Sequence, residues 1–416
     1  MKIFLETYGC DTSKNATEIM AGALLKNGHN LVSKEAADVI IINSCALTGQ
    51  TEKKILKRLT ELKDSGKKVL VAGCLPEVSK EKIEFAMPEA SIMGVTSFMN
   101  VAGVIEKMAD YKVERLKDRP DTLIGKQRIR INPAVGIVQI AEGCLDNCTF
   151  CVERTTRGTL VSYEPDAIIR EVQKAVDEGI REIHLTAQDV AAYGFDTGVR
   201  LPALLRKLSC IQGDFKIKLG SMNPANVLKI LDDLILAFNH PKIYRFLDIP
   251  IQSGSNKILY AMKRNYTNEE FKMIVAAFRK KYPDMNFSTD VLVGFPGETD
   301  EDYGKTVNVV TDVKPDVVNI YQYTKRPFAS AGDTDVPSWK VKNRAVEMEQ
   351  LADKLQDKSN ETWVGWRGTA IVSEKTPKGY LARNYVYKPI VLPKANIGDV
   401  ITVDVVGTYG GNLVGR

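Results

Sequence analysis

The stretch Gly143–Cys144–Leu145–Asp146–Asn147–Cys148–Thr149–Phe150–Cys151 carries three of the chain's seven cysteines within eight residues, at C-x3-C-x2-C spacing. A loop this tight can wrap three thiolates around one face of an iron–sulfur cube. A closed zinc site takes four ligands, and no fourth Cys or His lies nearby. Three thiolates on a cube of four irons leave one iron without a protein ligand. S-adenosylmethionine can chelate such an iron through its amino and carboxylate groups, and an electron from the cluster then splits its S–C5′ bond to give a 5′-deoxyadenosyl radical.

The triplet follows the strand candidate Ile137–Ala141. Five more follow: Glu182–Thr186, Lys216–Leu219, Phe246–Ile249, Phe287–Val293 and Val317–Tyr323. Helical patterns such as Glu164–Asp177 and Asn268–Lys280 lie between them. Six βα units in this length predict a partial parallel barrel, whose site is built from the loops after the strands. Polar or Gly/Pro-rich clusters stand there: Ala187–Gln188–Asp189, Ser221–Met222–Asn223–Pro224, Gln252–Ser253–Gly254–Ser255 and Gly294–Phe295–Pro296–Gly297–Glu298. Gln188, Ser221, Asn223 and Gln252 are the candidates for holding S-adenosylmethionine, with Arg157 a candidate to neutralise its carboxylate or a substrate phosphate. Turn chemistry alone is the competing reading for each.

Upstream, Lys2–Thr7, Asp38–Asn43 and Lys68–Ala72 read as strands, with helices over Ala16–Lys26 and Gln50–Leu62. This rhythm predicts a parallel α/β domain. Cys10, Cys45 and Cys74 each follow one of the strands, and the carboxyl ends of such strands share one edge. Convergence there and three separate buried thiols are both consistent with position alone. Tyr111–Arg130 is polar, holds Pro120 and carries seven basic against three acidic residues; it reads as a solvated connector. After a charged helix, Lys340–Asn360, the pattern turns to short strands and Gly turns, which predicts a small antiparallel barrel. Tyr380, Tyr385, Tyr387 and Tyr409 are interleaved there with Arg383 and Lys388, side chains suited to phosphates and unstacked bases; half-buried strand tyrosines are the competing reading for each. The domain ranges are 1–112, a 113–131 linker, 132–359 and 360–416, an α/β fold class throughout except for the last.

The whole chain, 416 residues with 44% hydrophobic residues and a net charge of +5, has an ordinary globular composition. Seven cysteines is an odd, sparse number for a secreted disulfide scaffold. His29, His184 and His240 are the only histidines and lie far apart, which disfavours a His-rich metal site. No signal-peptide pattern and no membrane-length apolar run is found, so the expected setting is cytoplasmic, with reduced thiols and no membrane.

The triplet after the first strand of a six-unit βα barrel resembles the radical SAM superfamily. The full layout is similar to the methylthiotransferase family. Matching stretches are Thr7–Tyr8–Gly9–Cys10, Asn43–Ser44–Cys45–Ala46, Ala72–Gly73–Cys74–Leu75–Pro76–Glu77, Pro250–Ile251–Gln252–Ser253–Gly254–Ser255, and Thr289–Asp290 through Gly294–Phe295–Pro296–Gly297–Glu298–Thr299. The C-terminal unit resembles a TRAM domain. The resemblance implies two 4Fe-4S clusters, on Cys144, Cys148 and Cys151 and on Cys10, Cys45 and Cys74, and S-adenosylmethionine as both radical source and methyl donor. Three stretches are similar to the archaeal and eukaryotic branch acting on threonylcarbamoyladenosine beside the tRNA anticodon: Gly143–Cys144–Leu145 with Thr155–Thr156–Arg157–Gly158, Gly220–Ser221–Met222–Asn223–Pro224, and Asn239–His240–Pro241. The implied partners are the tRNA anticodon stem-loop, an electron donor and a sulfur source. The isopentenyladenosine and ribosomal-protein branches fit less well. A one-cluster radical enzyme and a non-catalytic iron–sulfur RNA-binding protein are the competing classes. Two stretches depart from the family pattern: Arg326–Pro327–Phe328–Ala329–Ser330–Ala331 stands where Arg-Pro-Gly-Thr-Pro-Ala is usual, and Asp11–Asn15 is looser. Cys210 matches nothing and reads as a structural thiol.

Overall fold

The computed structural model describes residues 1–116 and 122–416, so the part of the basic connector that holds Pro120 lies outside the described residues. Strands β1 (Lys2–Thr7), β2 (Asn30–Leu31), β3 (Val39–Ser44), β4 (Lys68–Gly73), β5 (Ser91–Met93) and β6 (Glu114–Arg115) form one sheet in the order β2-β1-β3-β4-β5-β6. All its pairings are parallel. Every residue of β3 is buried, as a central parallel strand covered on both faces requires.

The first helix runs over Asp11–Lys26, five residues earlier than its apolar periodicity suggests. Cys10 is its extended N-cap residue and Asp11 places a carboxylate in the first turn, where the helix dipole favours it. Thr12, Ser13 and Asn15 are buried although polar. Thr12 and Asn15 face polar strand residues of the next domain rather than water: Thr12 Oγ1 lies 3.0 Å from Thr186 Oγ1, and Asn15 Nδ2 donates to Gln139 Oε1 at 3.2 Å.

The central domain holds β7 (Val135–Gln139), β8 (Ala141–Glu142), β9 (Val161–Ser162), β10 (Glu182–Thr186), β11 (Lys216–Leu219), β12 (Phe246–Asp248), β13 (Asn286–Val293) and β14 (Val317–Gln322). β7, β10 and β11 form one parallel three-stranded sheet and β12, β13 and β14 another. A parallel bridge between Ile217 and Ile243, just ahead of β12, joins the two arcs. The expected Ile137–Ala141 strand is split: its end, β8, turns away to pair antiparallel with β9, and this short ribbon carries the cysteine loop.

The basic connector is only partly solvated where it is described. Arg128, its side chain 4% exposed, pairs with Glu171 at 2.7 Å, and Arg130 pairs with Glu18 at 3.4 Å. Two arginines that read as linker charge thus lace the first helix to the barrel.

The Ser338–Glu361 helix leads into β15 (Arg367–Thr376), β16 (Gly379–Arg383), β17 (Pro389–Leu392), β18 (Val400–Tyr409) and β19 (Asn412–Gly415), which pair around a ring in the order β15-β16-β17-β19-β18. This unit seats against the amino ends of the central strands, where Arg245 N donates to Tyr385 O at 3.0 Å. Tyr387 reaches furthest in: its hydroxyl stands 3.2 Å from His184 Nε2 and its ring 4.9 Å from that of Tyr244. Lys388 is buried, its Nζ donating to Asn360 Oδ1 at 2.9 Å. Side chains that read as an outward basic–aromatic pattern therefore divide: Tyr387 and Lys388 serve domain docking, while Tyr409 stays 65% exposed. Among the described residues no helix is long and apolar enough to cross a membrane.

Candidate active site

In the N-terminal sheet Thr7, Asn43 and Ala72 stand level across β1, β3 and β4. The residues after them, Cys10, Cys45 and Cys74, therefore emerge at one edge. Glycine makes the close approach possible. Gly9 has φ +139°, and a Cβ there would sit 2.9 Å from Cys45 Cβ; Gly73 has φ +100°, and a Cβ there would meet Ser44 O at 2.4 Å. Cys45 and Cys74 are buried and Cys10 is exposed. Burial pushes the Cys45 thiol up to about 11 and Cys74 higher still, and the neighbouring cysteines of the trio add to both shifts.

The second trio lies on the loop between β8 and the Glu153–Arg157 helix. Cys144 N donates to Gly158 O at 3.1 Å and Cys151 N to Cys148 O at 3.2 Å. Thr149, inside the loop, bonds through its own N to Met262 O at 3.1 Å and accepts from Ala331 N at 2.7 Å. Burial pushes Cys144 up to about 12 and raises Cys151 well above the usual thiol range.

One short helix separates the trios. At its start, Glu153 N donates to Cys151 Sγ at 3.5 Å; at its end, Arg157 Nη2 donates to Cys74 Sγ at 3.5 Å. Arg157 also pairs with Glu142 at 2.7 Å and Glu153 at 3.3 Å. Burial alone would loosen its proton, but Cys74, Glu142 and Glu153 together hold it on more firmly. Val152 packs into the N-terminal core, which locks the cysteine loop to the neighbouring domain.

The donor set suits iron–sulfur clusters. Among the described residues no three Cys, His, Asp or Glu side chains are drawn close enough to share one metal ion; three thiolates per trio are the donors an iron–sulfur cube takes. Each trio also has a cation aimed at a sulfur, buried for Arg157 and half-buried for Arg264. Arg264 Nη1 donates to Cys148 Sγ at 3.6 Å, with Nη2 on Pro250 O at 3.2 Å. Burial would lower its pKa, yet Tyr266 and Cys148 raise it. A half-buried guanidinium whose neighbours are a phenol, a carbonyl and a sulfur favours negative charge on the sulfur.

The sequence-predicted cofactor residues divide. Asn223 is buried and donates to Asp146 Oδ2, inside the cysteine loop, at 2.7 Å. Ser221 O accepts from Val190 N at 3.0 Å, which ties the β10 and β11 loops together. Gln188 Oε1 is buried with no hydrogen-bond partner. Gln252 sits in left-handed backbone, φ +67°, with its N on Asp290 O at 2.8 Å. Arg157 lies against Cys74, between the trios.

Several groups escaped the sequence reading. Asn226 Nδ2 joins Asp146 Oδ2 at 2.9 Å to Asp189 Oδ2 at 2.7 Å, and burial pushes Asp189 up to about 6. Asp146 lies within Gly143–Cys151 and Asp189 closes Ala187–Asp189, so acidity inside a strand-end loop is their sequence signal. Arg264 had none. On β12 and β13, Asp248 and Asp290 are both raised by burial, and Asp248 Oδ1 has no partner.

A parallel βα arc with a thiol triplet in its first strand-end loop defines a radical SAM enzyme, and comparison with known proteins agrees. The Radical SAM superfamily model matches residues 138–310, and the model of the uncharacterized protein family UPF0004 matches residues 2–94. The structure of the radical S-adenosylmethionine methyltransferase TsrM from Kitasatospora setae, with cobalamin and a 4Fe-4S cluster bound, superposes with a TM-score of 0.56 at 14% identity, covering 79% of this chain and 76% of that one. A relative from Pyrococcus abyssi, named a probable threonylcarbamoyladenosine tRNA methylthiotransferase, is 39% identical over 100% of this chain and 99% of its own length. One from Archaeoglobus fulgidus with the same name is 40% identical over 100% and 98%. The Homo sapiens threonylcarbamoyladenosine tRNA methylthiotransferase is 33% identical over 97% of this chain and 72% of its own length. The chain belongs to the family of radical SAM threonylcarbamoyladenosine tRNA methylthiotransferases.

Proposed function

We propose that this enzyme adds a methylthio group to carbon 2 of N6-threonylcarbamoyladenosine at tRNA position 37, beside the anticodon. The observation that carries the reading is the pair of cysteine trios set on either side of one five-residue helix. Cys144, Cys148 and Cys151 would hold one 4Fe-4S cluster and Cys10, Cys45 and Cys74 a second, each with an iron left open. When bound, the clusters and S-adenosylmethionine supply a carbon radical able to take the carbon 2 hydrogen, which is too weakly acidic for a base, and a methylated sulfur to replace it.

The chain's own residues bind and orient. Arg264 and Arg157 offset thiolate charge at Cys148 and Cys74. Gln188, Ser221, Asn223 and Gln252 line the strand-end loops beside the Cys144 loop and are assigned to S-adenosylmethionine. Asp146 fixes Asn223, and Asn226 fixes Asp146. The C-terminal ring, taken as a TRAM unit, offers the exposed Tyr409 ring with Lys378 Nζ 4.7 Å from its centroid, a pairing suited to RNA. The reaction needs an electron donor and a sulfur source, and a cytoplasmic setting supplies both together with tRNA.

Mass spectrometry of tRNA nucleosides tests this. A deletion strain is expected to lack the 2-methylthio derivative of threonylcarbamoyladenosine and to regain it on complementation. Anaerobically reconstituted protein is expected to hold about eight irons, falling to about four when Cys10, Cys45 and Cys74 become Ala. Unchanged nucleosides in the deletion strain would refute the assignment.

A further inference from the structure

On the flank of the same strand edge, a cavity of about 550 Å³ opens beside the loop after β10. Its lining includes Phe195, Arg200, Arg206 and Lys229, with Asp233 the one carboxylate. The Arg200 guanidinium lies 3.9 Å from the Phe195 ring centroid and Lys229 Nζ 5.0 Å from it. Two cations gathered on one ring repel each other unless an anion joins them. Among the described residues none of these three cations forms an ion pair with a carboxylate, and Arg200 Nη1 is buried with no hydrogen-bond partner.

The cavity is wired to the chemistry. Lys229 Nζ donates to Asn226 Oδ1 at 3.1 Å, and Asn226 Nδ2 donates to Asp146 Oδ2 at 2.9 Å, inside the Cys144–Cys151 loop.

We propose that this cavity binds a backbone phosphate of the RNA substrate, with Phe195 against the adjoining nucleoside; the inference rests on the tRNA reading above. Guanidinium and ammonium groups around a concave aromatic wall suit a phosphodiester and its neighbouring base. An acidic protein face, which offers flat carboxylate clusters, fits the concavity less well. A phosphate held here would fix the RNA's register relative to the cysteine loop without reading its sequence.

The test uses the full-length reconstituted enzyme, an anticodon stem-loop RNA carrying N6-threonylcarbamoyladenosine at position 37, and the charge-reversal variant Arg206→Glu, an exposed side chain outside the Lys229–Asn226 link. RNA affinity is measured across a salt series. The expected result is a roughly 10-fold weaker Kd with a salt slope shallower by about one to two. Formation of 5′-deoxyadenosine without RNA should stay at the wild-type rate. Wild-type affinity and slope in the variant would overturn the proposal, as would intact RNA binding with slower reduction by an acidic protein donor, which would make the face a protein-docking site. If the wild-type enzyme itself binds no RNA, the tRNA reading fails, and this one with it.

Discussion

Replacing Arg157 by Met removes the cation between the trios while keeping its bulk. Three of its nitrogens are engaged: Nη1 with Glu142 at 2.7 Å, Nε with Glu153 at 3.3 Å, and Nη2 with Cys74 Sγ at 3.5 Å. Breaking a buried ion pair costs about 3–5 kcal/mol, because the partner stays buried and uncompensated. The Glu142 side chain is 24% exposed and can recover some hydration, whereas Arg157 is 3% exposed, so the lower end, about 3 kcal/mol, is expected. At roughly 2–4 °C per kcal/mol, the cluster-free protein should melt about 6–12 °C lower by calorimetry. Pairing the change with Glu142→Gln should recover part of the loss, with a coupling energy of about 1 kcal/mol or more. In reconstituted protein, iron should fall toward half, with the loss confined to the Cys10, Cys45 and Cys74 trio. Wild-type melting, zero coupling and a full iron load together would show that Arg157 supports neither trio.

Two further outcomes follow from single side chains. Asp302 accepts from Lys257 Nζ at 2.8 Å, Ser255 Oγ at 2.7 Å and Thr299 Oγ1 at 2.8 Å. Burial pushes its carboxyl up, but these partners reverse that and hold it well below the usual range. A folded pKa below the unfolded value stabilises the fold fully above about pH 4 and is lost as pH falls toward the folded pKa. Asp302→Asn should therefore cost about 1–3 kcal/mol at neutral pH, and urea melts should show the gap closing below about pH 4; a gap independent of pH would contradict this. Phe328 stands at φ +66° with 70% of its surface exposed, at the position where the family pattern has Gly. Left-handed backbone costs a side-chain-bearing residue about 1–2 kcal/mol, and glycine's extra chain entropy returns about 0.5–1. Phe328→Gly should raise stability by roughly 0.5–1 kcal/mol in denaturant titration, and a loss would place the ring in a contact that matters.

The sequence by itself determined the Cys144–Cys151 triplet and the order of the three architectures, and left the convergence of Cys10, Cys45 and Cys74 open. Ligand spacing in Cys144–Cys151 is a local property, and a cysteine after each of three strands becomes an edge cluster once the strands are parallel. Alternation and turn residues likewise placed the central strands and the C-terminal ring within a few residues. Only the tertiary structure decided what surrounds those thiols. Arg264 comes to Cys148 from 116 residues away and Arg157 to Cys74 from 83, and no periodicity encodes such meetings. The early start of the Asp11–Lys26 helix was hidden for the same reason: its first turn buries polar residues against Gln139 and Thr186, so it lacks the apolar stripe that marks a helix facing its own core. Tyr387 and Lys388 read as an RNA-facing pair because charge and aromaticity suggest a surface. A neighbouring domain with His184 and Asp316 waiting satisfied them instead, and burial of a polar group is decided by the partner it finds.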